Sequence, residues 1–122
     1  MDRKYLMTAL GYAILGLILG IYMASTKNHT QHVTHAHILL IGFVVSFVYA
    51  VIYKLWVADH SSTLSKIQYW LHQLGTIIIV IGLFLMYGNY AAGNIVGPVL
   101  GSGSISILVA MILMKVIFIK HK

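Results

Sequence analysis

The feature that most constrains this chain is a series of four apolar segments, each close to twenty residues long. They run from about 5 to 25, 34 to 56, 66 to 88 and 98 to 119. A helix needs about 20 predominantly apolar residues to cross the hydrocarbon core of a bilayer, so each segment predicts one membrane-spanning helix. The connections between the segments are too short to hold a soluble domain. The 122 residues therefore predict a single four-span domain over 1–122.

Composition excludes several other classes of protein. Of the residues, 60% are hydrophobic and only 8% are charged, whereas a soluble domain carries about 25% charged residues. The absence of cysteine excludes a disulfide, a thiolate metal site and covalent attachment of a c-type haem. The two acidic residues, Asp2 and Asp59, lie outside the apolar segments. The sequence therefore predicts neither an intramembrane carboxylate relay nor a two-carboxylate hydrolase.

The basic residues indicate the orientation in the membrane. A net charge of +6 can mark a nucleic-acid-binding protein, but most of the basic residues flank the apolar segments, so we expect no nucleic acid partner. Four spans place both termini on one side, and Lys27 is then the one basic residue on the opposite side. By the positive-inside rule both termini are predicted to be cytoplasmic, as in a bacterial inner-membrane protein. The residues on the basic side are Arg3, Lys4, Lys54, Lys66, Lys115, Lys120 and Lys122.

Small residues recur at four-residue intervals in three of the segments. Such stripes allow membrane helices to approach closely. They either hold the four helices of one chain together or also form contacts between subunits, and the sequence leaves both interpretations open. The stripes are Gly16, Gly20 and Ala24, then Gly42, Ser46 and Ala50, and then Ser102, Ser106 and Ala110.

Four of the seven histidines lie within nine residues, where the second segment begins: His29, His32, His35 and His37. Imidazole binds transition metals and haem iron without help from a carboxylate. For His29 and His32 the favoured interpretation is a solvated polar loop. The alternative is a copper or zinc site at the outer surface, formed by His29, His32 and His35 at intervals of three residues.

His35 and His37 lead directly into the apolar part of the second segment. Two positions apart on a helix means about 200° around its axis, so the two rings cannot bind one metal ion. They would serve two sites, or one cofactor approached from opposite directions by neighbouring subunits. The face of His35 is predicted to include Gly42 and Ser46, where another helix or a flat ring can come close. The alternative is that both histidines only form hydrogen bonds at the membrane interface.

His72 lies near the other end of the third segment. The topology puts it ~20 Å from His37 along the membrane normal, so one haem held between these two residues of one chain is not expected. His72 is either a second cofactor site or a polar group bonded to a neighbouring helix. His60 and His121 are interpreted as ordinary loop and tail residues.

The segment His35–Phe43 resembles the His-x-His entry to a transmembrane helix in the haem–copper oxidase superfamily, and most of all the small four-helix proteins described as cytochrome-oxidase subunit I-like. Trp70-x-His72-x-x-Gly75 is similar to a second element of those proteins. An element of the NnrS-type haem and copper membrane proteins is a looser match. The chain departs from the pattern in having Ile38-Leu39 where a polar residue is usual, and in lacking an outer arginine pair for the haem propionates.

The resemblance implies an all-α, integral membrane four-helix bundle. As a homotrimer, it would mimic the twelve spans and pseudo-threefold axis of oxidase subunit I. Haem b would then lie between adjacent chains, with His35 of one and His37 of the next as axial ligands. The implied function is electron transfer with a redox partner, or redox or gas sensing, and not that of a complete oxidase. The other classes kept open are a copper- or zinc-binding protein and an assembly subunit whose histidines are incidental.

Overall fold

The computed structural model describes residues 1–57 and 62–120, and the regular structure in these residues is entirely helical. The four helices are α1 (Asp2–Thr26), α2 (His32–Trp56), α3 (Thr63–Tyr87) and α4 (Gly93–Lys120). Each is long and apolar enough to cross a membrane. The prediction of four helices long and apolar enough to be membrane spans is thereby confirmed, and such helices indicate an integral membrane protein.

The helix α4 begins earlier than the apolar pattern predicts. The carbonyl of Ala92 accepts hydrogen bonds from the backbone N–H groups of Ile95 and Val96, both at 3.0 Å, and these bonds start the helix at Gly93. Pro98 therefore lies in the second turn of α4. The span predicted from residue 98 would have placed it in the first turn, where the missing N–H of a proline costs no hydrogen bond. Membrane helices tolerate such a proline because neighbouring groups compensate the missing backbone donor.

The helix α2 is not α-helical throughout. Its middle section, Ile38–Val45, is π-helical, with hydrogen bonds that span five residues instead of four. This wider winding changes which residues share a face of the helix. As a result, His35 and Gly42 contact α1, whereas Ser46 contacts α3. The expectation that Ser46 shares the face of His35 assumed an uninterrupted α-helix and is wrong for this reason.

The helix α3 is the central element of the bundle. It packs along α4, while α1 packs along α2, and polar side chains of α3 join the two pairs. Seven-residue spacing is typical of helices that wrap around one another with a left-handed twist. Buried residues recur at this spacing in α3 at Ser65, His72 and Ile79, and in α4 at Val96, Gly103, Ala110 and Ile117.

The large exposed side chains are predominantly apolar, as expected where lipid replaces water as the solvent. Leu17 and Ile21 of α1 and Leu108 of α4 are examples. A cluster of buried hydrophobic residues lies at the end where α1 begins and α2 ends. Tyrosines form half of it: Tyr5, Tyr49, Tyr53 and Tyr69.

Candidate functional site

The four clustered histidines lie at the end of the bundle that carries the connections 27–31 and 88–92. The helix α2 starts at His32, so His29 belongs to the preceding turn. Both His29 and His32 are exposed, and the Nδ1 atom of His32 lies 3.0 Å from the carbonyl oxygen of His29. These two residues have the surroundings expected for a solvated loop and a helix start.

The ring of His35 lies in a notch between two glycines of α1. Its Nδ1 atom is 2.7 Å from the carbonyl oxygen of Gly16. One turn further along α1, a Cβ atom built on Gly20 would lie 2.9 Å from Cε1 of the same ring, which is too close for real atoms. The small-residue stripe of α1 therefore serves to seat His35 against the helix.

His37 is held in a different way. Its Nδ1 atom lies 2.9 Å from the carbonyl oxygen of Val33, one turn earlier on the same helix. Like His35, it is half-buried. Because His35 contacts α1 and His37 contacts its own helix, the two rings are directed to different sides, as their two-residue spacing predicts.

These contacts determine where the proton of each neutral ring lies. A carbonyl oxygen only accepts hydrogen bonds, so Nδ1 of His35, His37 and His32 must carry the hydrogen in all three contacts. In a neutral imidazole the other nitrogen, Nε2, then keeps its lone pair. Histidines that bind metals usually have this arrangement, in which a backbone carbonyl or a carboxylate holds the N–H group that does not face the metal.

Gly42 provides the close approach that the sequence predicted, and the neighbour is a helix of the same chain. A Cβ atom on Gly42 would lie 2.6 Å from Cγ of Tyr12 on α1. The side chain of Tyr12 reaches α3, where its hydroxyl donates a hydrogen bond to Oε1 of Gln73 at 2.9 Å. In this fold the surface of Gly42 is therefore covered by Tyr12.

No group of three His, Cys, Asp or Glu side chains within residues 1–57 and 62–120 is close enough together to hold a metal ion. The three histidines proposed as a copper or zinc cluster, His29, His32 and His35, are thus not brought together in the single chain. His60 and His121 lie outside the described residues.

His72 is fully buried in the opposite half of the bundle. Its Nε2 atom lies 3.1 Å from Oγ of Ser46, and the ring of Tyr49 meets it edge-on with centroids 5.0 Å apart. Ser46 is nine residues beyond His37 on α2, which is about two helical turns. His72 therefore bonds to a neighbouring helix and is well separated in depth from the clustered histidines.

Sequence reasoning did not identify Gln68, which joins three helices one turn before His72. Its Oε1 atom accepts from the hydroxyl of Tyr5 at 2.5 Å and from that of Tyr53 at 3.2 Å, and its Nε2 atom donates to the carbonyl of Ala110 at 3.3 Å. The signal for it was a regular series of polar residues inside an apolar span. The series consists of Ser65, Gln68, His72 and Thr76.

Not every buried polar side chain of α3 has all its atoms hydrogen-bonded. Among the described residues, Nδ1 of His72 and Oγ1 of Thr76 are buried without a hydrogen-bond partner. They lie four residues apart, and so on the same face of α3. Buried polar atoms of this kind are uncommon in folded proteins.

Comparison with known proteins gives no family for this chain: no protein-family model, no curated protein and no solved structure matches it, and nothing in these comparisons links it to the haem–copper oxidase or NnrS families.

Proposed function

We propose that this protein binds b-type haem in the membrane through His35 and His37, and that it serves electron transfer or redox or gas sensing. The observation that carries the proposal is the fixed orientation of the two rings. Each donates Nδ1–H to a backbone carbonyl and so retains a lone pair on Nε2. Both rings are half-buried at one end of an apolar four-helix unit.

The donor set fits haem iron. Neutral imidazole nitrogen is the usual axial ligand of b-type haem, and an apolar environment of helices accommodates the porphyrin. Haem with two imidazole ligands supplies one-electron transfer, whereas a single imidazole leaves a position open for a gas. The contribution of this chain is to orient the two nitrogens through Gly16 and Val33.

The opposed directions of His35 and His37 favour a site shared between copies of the chain. We propose a homo-oligomer, with a trimer favoured, in which His35 of one copy and His37 of the next approach the same haem. Gly16, Gly20 and Gly42 already serve contacts within the chain. Gly97 and Gly101 of α4, by contrast, have no atom of the described residues within 4 Å of the Cβ position, so this exposed face remains available to a neighbouring copy.

We also propose that both termini face the cytoplasm of a bacterial cell and that the histidine cluster lies on the outer side of its inner membrane. The positive-inside distribution of lysine and arginine supports this orientation. The Nζ atom of Lys4 lies 4.7 Å from the ring centre of Tyr69 and 5.4 Å from that of Trp70. Basic and aromatic residues grouped in this way are typical of a membrane interface.

A haem titration of the purified protein, followed by visible spectroscopy, tests the proposal. We expect a Soret band of histidine-ligated haem in the wild type, and its loss or shift in both His35→Ala and His37→Ala. The exposed His29→Ala is the matched control and should leave the band unchanged. A wild type without such a band, or a band that survives both substitutions, contradicts the proposal. Carbon monoxide separates the two roles, because a bis-histidine iron responds poorly.

A second candidate is a copper or zinc site at the histidine cluster. It is favoured by the exposure of His32 and by the lone pair that its contact with the His29 carbonyl leaves on Nε2. Equilibrium dialysis with each metal, repeated on His32→Ala, tests it, and an unchanged stoichiometry argues against this site. A protein that remains colourless and tolerates alanine at both His35 and His37 would instead be an assembly subunit.

A further inference from the structure

Two cavities lie side by side at the end of the bundle that carries the histidine cluster. Each measures about 420 Å³, which is within the usual range of small-molecule sites. Tyr22 of α1 and Phe84 of α3 line both of them, so the two cavities adjoin between these helices and together are called here the cleft. The beginning of α2, at Gln31 and Thr34, contributes to its floor.

The two halves of the cleft differ in chemistry. The half deeper in the bundle, called here the tail cavity, is lined mainly by aliphatic side chains, among them Ile18, Ile38 and Ile81. The half next to the connections, called here the head cavity, is lined mainly by amides and phenols, together with Met23, Thr30, Phe84 and Gly88. Its polar lining residues include Asn28, Gln31, Asn89 and Tyr90. The cleft therefore fits an amphiphile with a polar head and an apolar chain.

The head cavity also restricts the type of head group. None of the residues that line it is charged, so a phosphate or an ammonium group would find no ionic partner there. Its amide and phenol groups can donate hydrogen bonds to carbonyl oxygens. The rings of Phe84 and Tyr90 stack with centroids 5.6 Å apart and an interplanar angle of 21°, which provides a flat aromatic surface.

We propose that this cleft binds a membrane quinone, with the quinone ring in the head cavity and the isoprenoid chain in the tail cavity. A quinone is neutral, and its flat ring has about the size of an aromatic side chain. It carries two carbonyl acceptors, and its isoprenoid chain is soluble in the membrane. These properties match the uncharged, donor-bearing head cavity and the aliphatic tail cavity. The binding of the quinone does not depend on haem.

The role of the quinone as redox partner rests on the proposed function, namely on haem bound by His35 and His37. Ile18 and Tyr22 line the cleft on one side of α1, while Gly16 and Gly20 on another side contact His35, so one helix, about 10 Å across, separates the two sites. A bound quinol that becomes a quinone releases two electrons and two protons. Haem held by His35 and His37 would accept these electrons one at a time, and the protons would leave to the adjacent aqueous phase.

The test is a calorimetric titration of the purified, haem-free protein in neutral detergent with ubiquinone-2. We expect saturable binding that Ile18→Trp weakens at least tenfold, because the indole would fill the tail cavity. Tyr22→Phe should weaken it by about three- to tenfold, the effect of one lost hydrogen bond. Ile21→Trp is the matched control, because Ile21 is exposed on α1 as Ile18 is, but lines neither cavity.

Two results would overturn the proposal: no saturable binding by the wild type, or equal affinity in Ile18→Trp and Ile21→Trp. A third is displacement of the quinone by an equal concentration of phosphatidylglycerol, which would show that the cleft holds ordinary lipid. Reduction of added haem by ubiquinol-2 is measured separately. Quinone binding without any haem spectrum would refute the haem proposal alone, and a haem spectrum without quinone binding would refute this inference alone.

Discussion

At the C-terminal half of α2 the buried polar groups bond to one another across helices, whereas at its N-terminal end the histidines bond to backbone carbonyls. Gln68 joins α3 to Tyr5, Tyr53 and α4, and His72 joins α3 to Ser46. His35 and His37 each use only Nδ1 in such contacts. In the first arrangement side chains bond to side chains of other helices, whereas in the second the proposed function assigns Nε2 of both histidines to haem iron. Similar residues at different depths therefore have different roles.

The largest expected effect is on the first of these regions. Gln68→Leu removes the acceptor of two buried tyrosine hydroxyls and should cost about 2–3 kcal/mol of unfolding free energy. Thermal or denaturant unfolding in detergent measures it. Gln73→Leu, which affects Tyr12 and a longer contact to Thr8, should cost about half as much. Equal losses for both would show that Gln68 has no special position.

The packing of α1 on α2 gives the next largest effect. Gly42→Ala places a methyl group against Cγ and Cβ of Tyr12, which cannot move without the helix, and should cost about 1–3 kcal/mol. The control is Gly11→Ala on α1, where the Cβ position has no neighbour within 4 Å. That change should be neutral or stabilise by about 0.5–1 kcal/mol through helix propensity. The same unfolding assay compares the two, and a neutral Gly42→Ala would contradict the packing described here.

The contacts that position the His35 ring against α1 can be altered without changing the histidine. Gly20→Ala brings a methyl group against Cε1 of the ring and should displace it from the carbonyl of Gly16. Because such supporting contacts orient metal ligands, haem affinity should fall about tenfold or more, as measured by spectroscopic titration. Gly11→Ala, at a position of α1 where an added Cβ meets no described atom within 4 Å, is the control. An unchanged affinity in Gly20→Ala would mean that His35 is not a ligand.

The smallest expected effect has the opposite sign. Thr76→Val replaces a buried hydroxyl that lacks a hydrogen-bond partner by a methyl group of similar shape, and should stabilise the protein by about 1 kcal/mol. Thr34→Val is the matched comparison, because the Thr34 hydroxyl donates to Oε1 of Gln31 at 2.6 Å, and this change should destabilise. A loss of stability in Thr76→Val would reveal a hydrogen-bond partner, such as a buried water molecule.

Much of the fold could be predicted from the sequence because span length and apolarity are properties of each segment alone. The different directions of His35 and His37 likewise follow from helix geometry. The π-helical section Ile38–Val45 could not be predicted, since its wider hydrogen bonding has no simple sequence signal, and it changed the face on which Ser46 lies. The contact of Tyr12 with Gly42 depends on which helices become neighbours, which the sequence does not specify.

Nitrogen-15 NMR of the histidine-labelled protein, before and after addition of haem, tests the central claim most directly. Before addition, at a pH where the two rings are neutral, His35 and His37 should carry their single N–H hydrogen on Nδ1 and none on Nε2, because each carbonyl contact needs a donor at Nδ1. After addition, the Nε2 signals of these two residues should shift strongly or broaden beyond detection, while the signals of His72 should change little. Protonated Nε2 atoms in His35 and His37, or a response to haem confined to His72, would contradict the account.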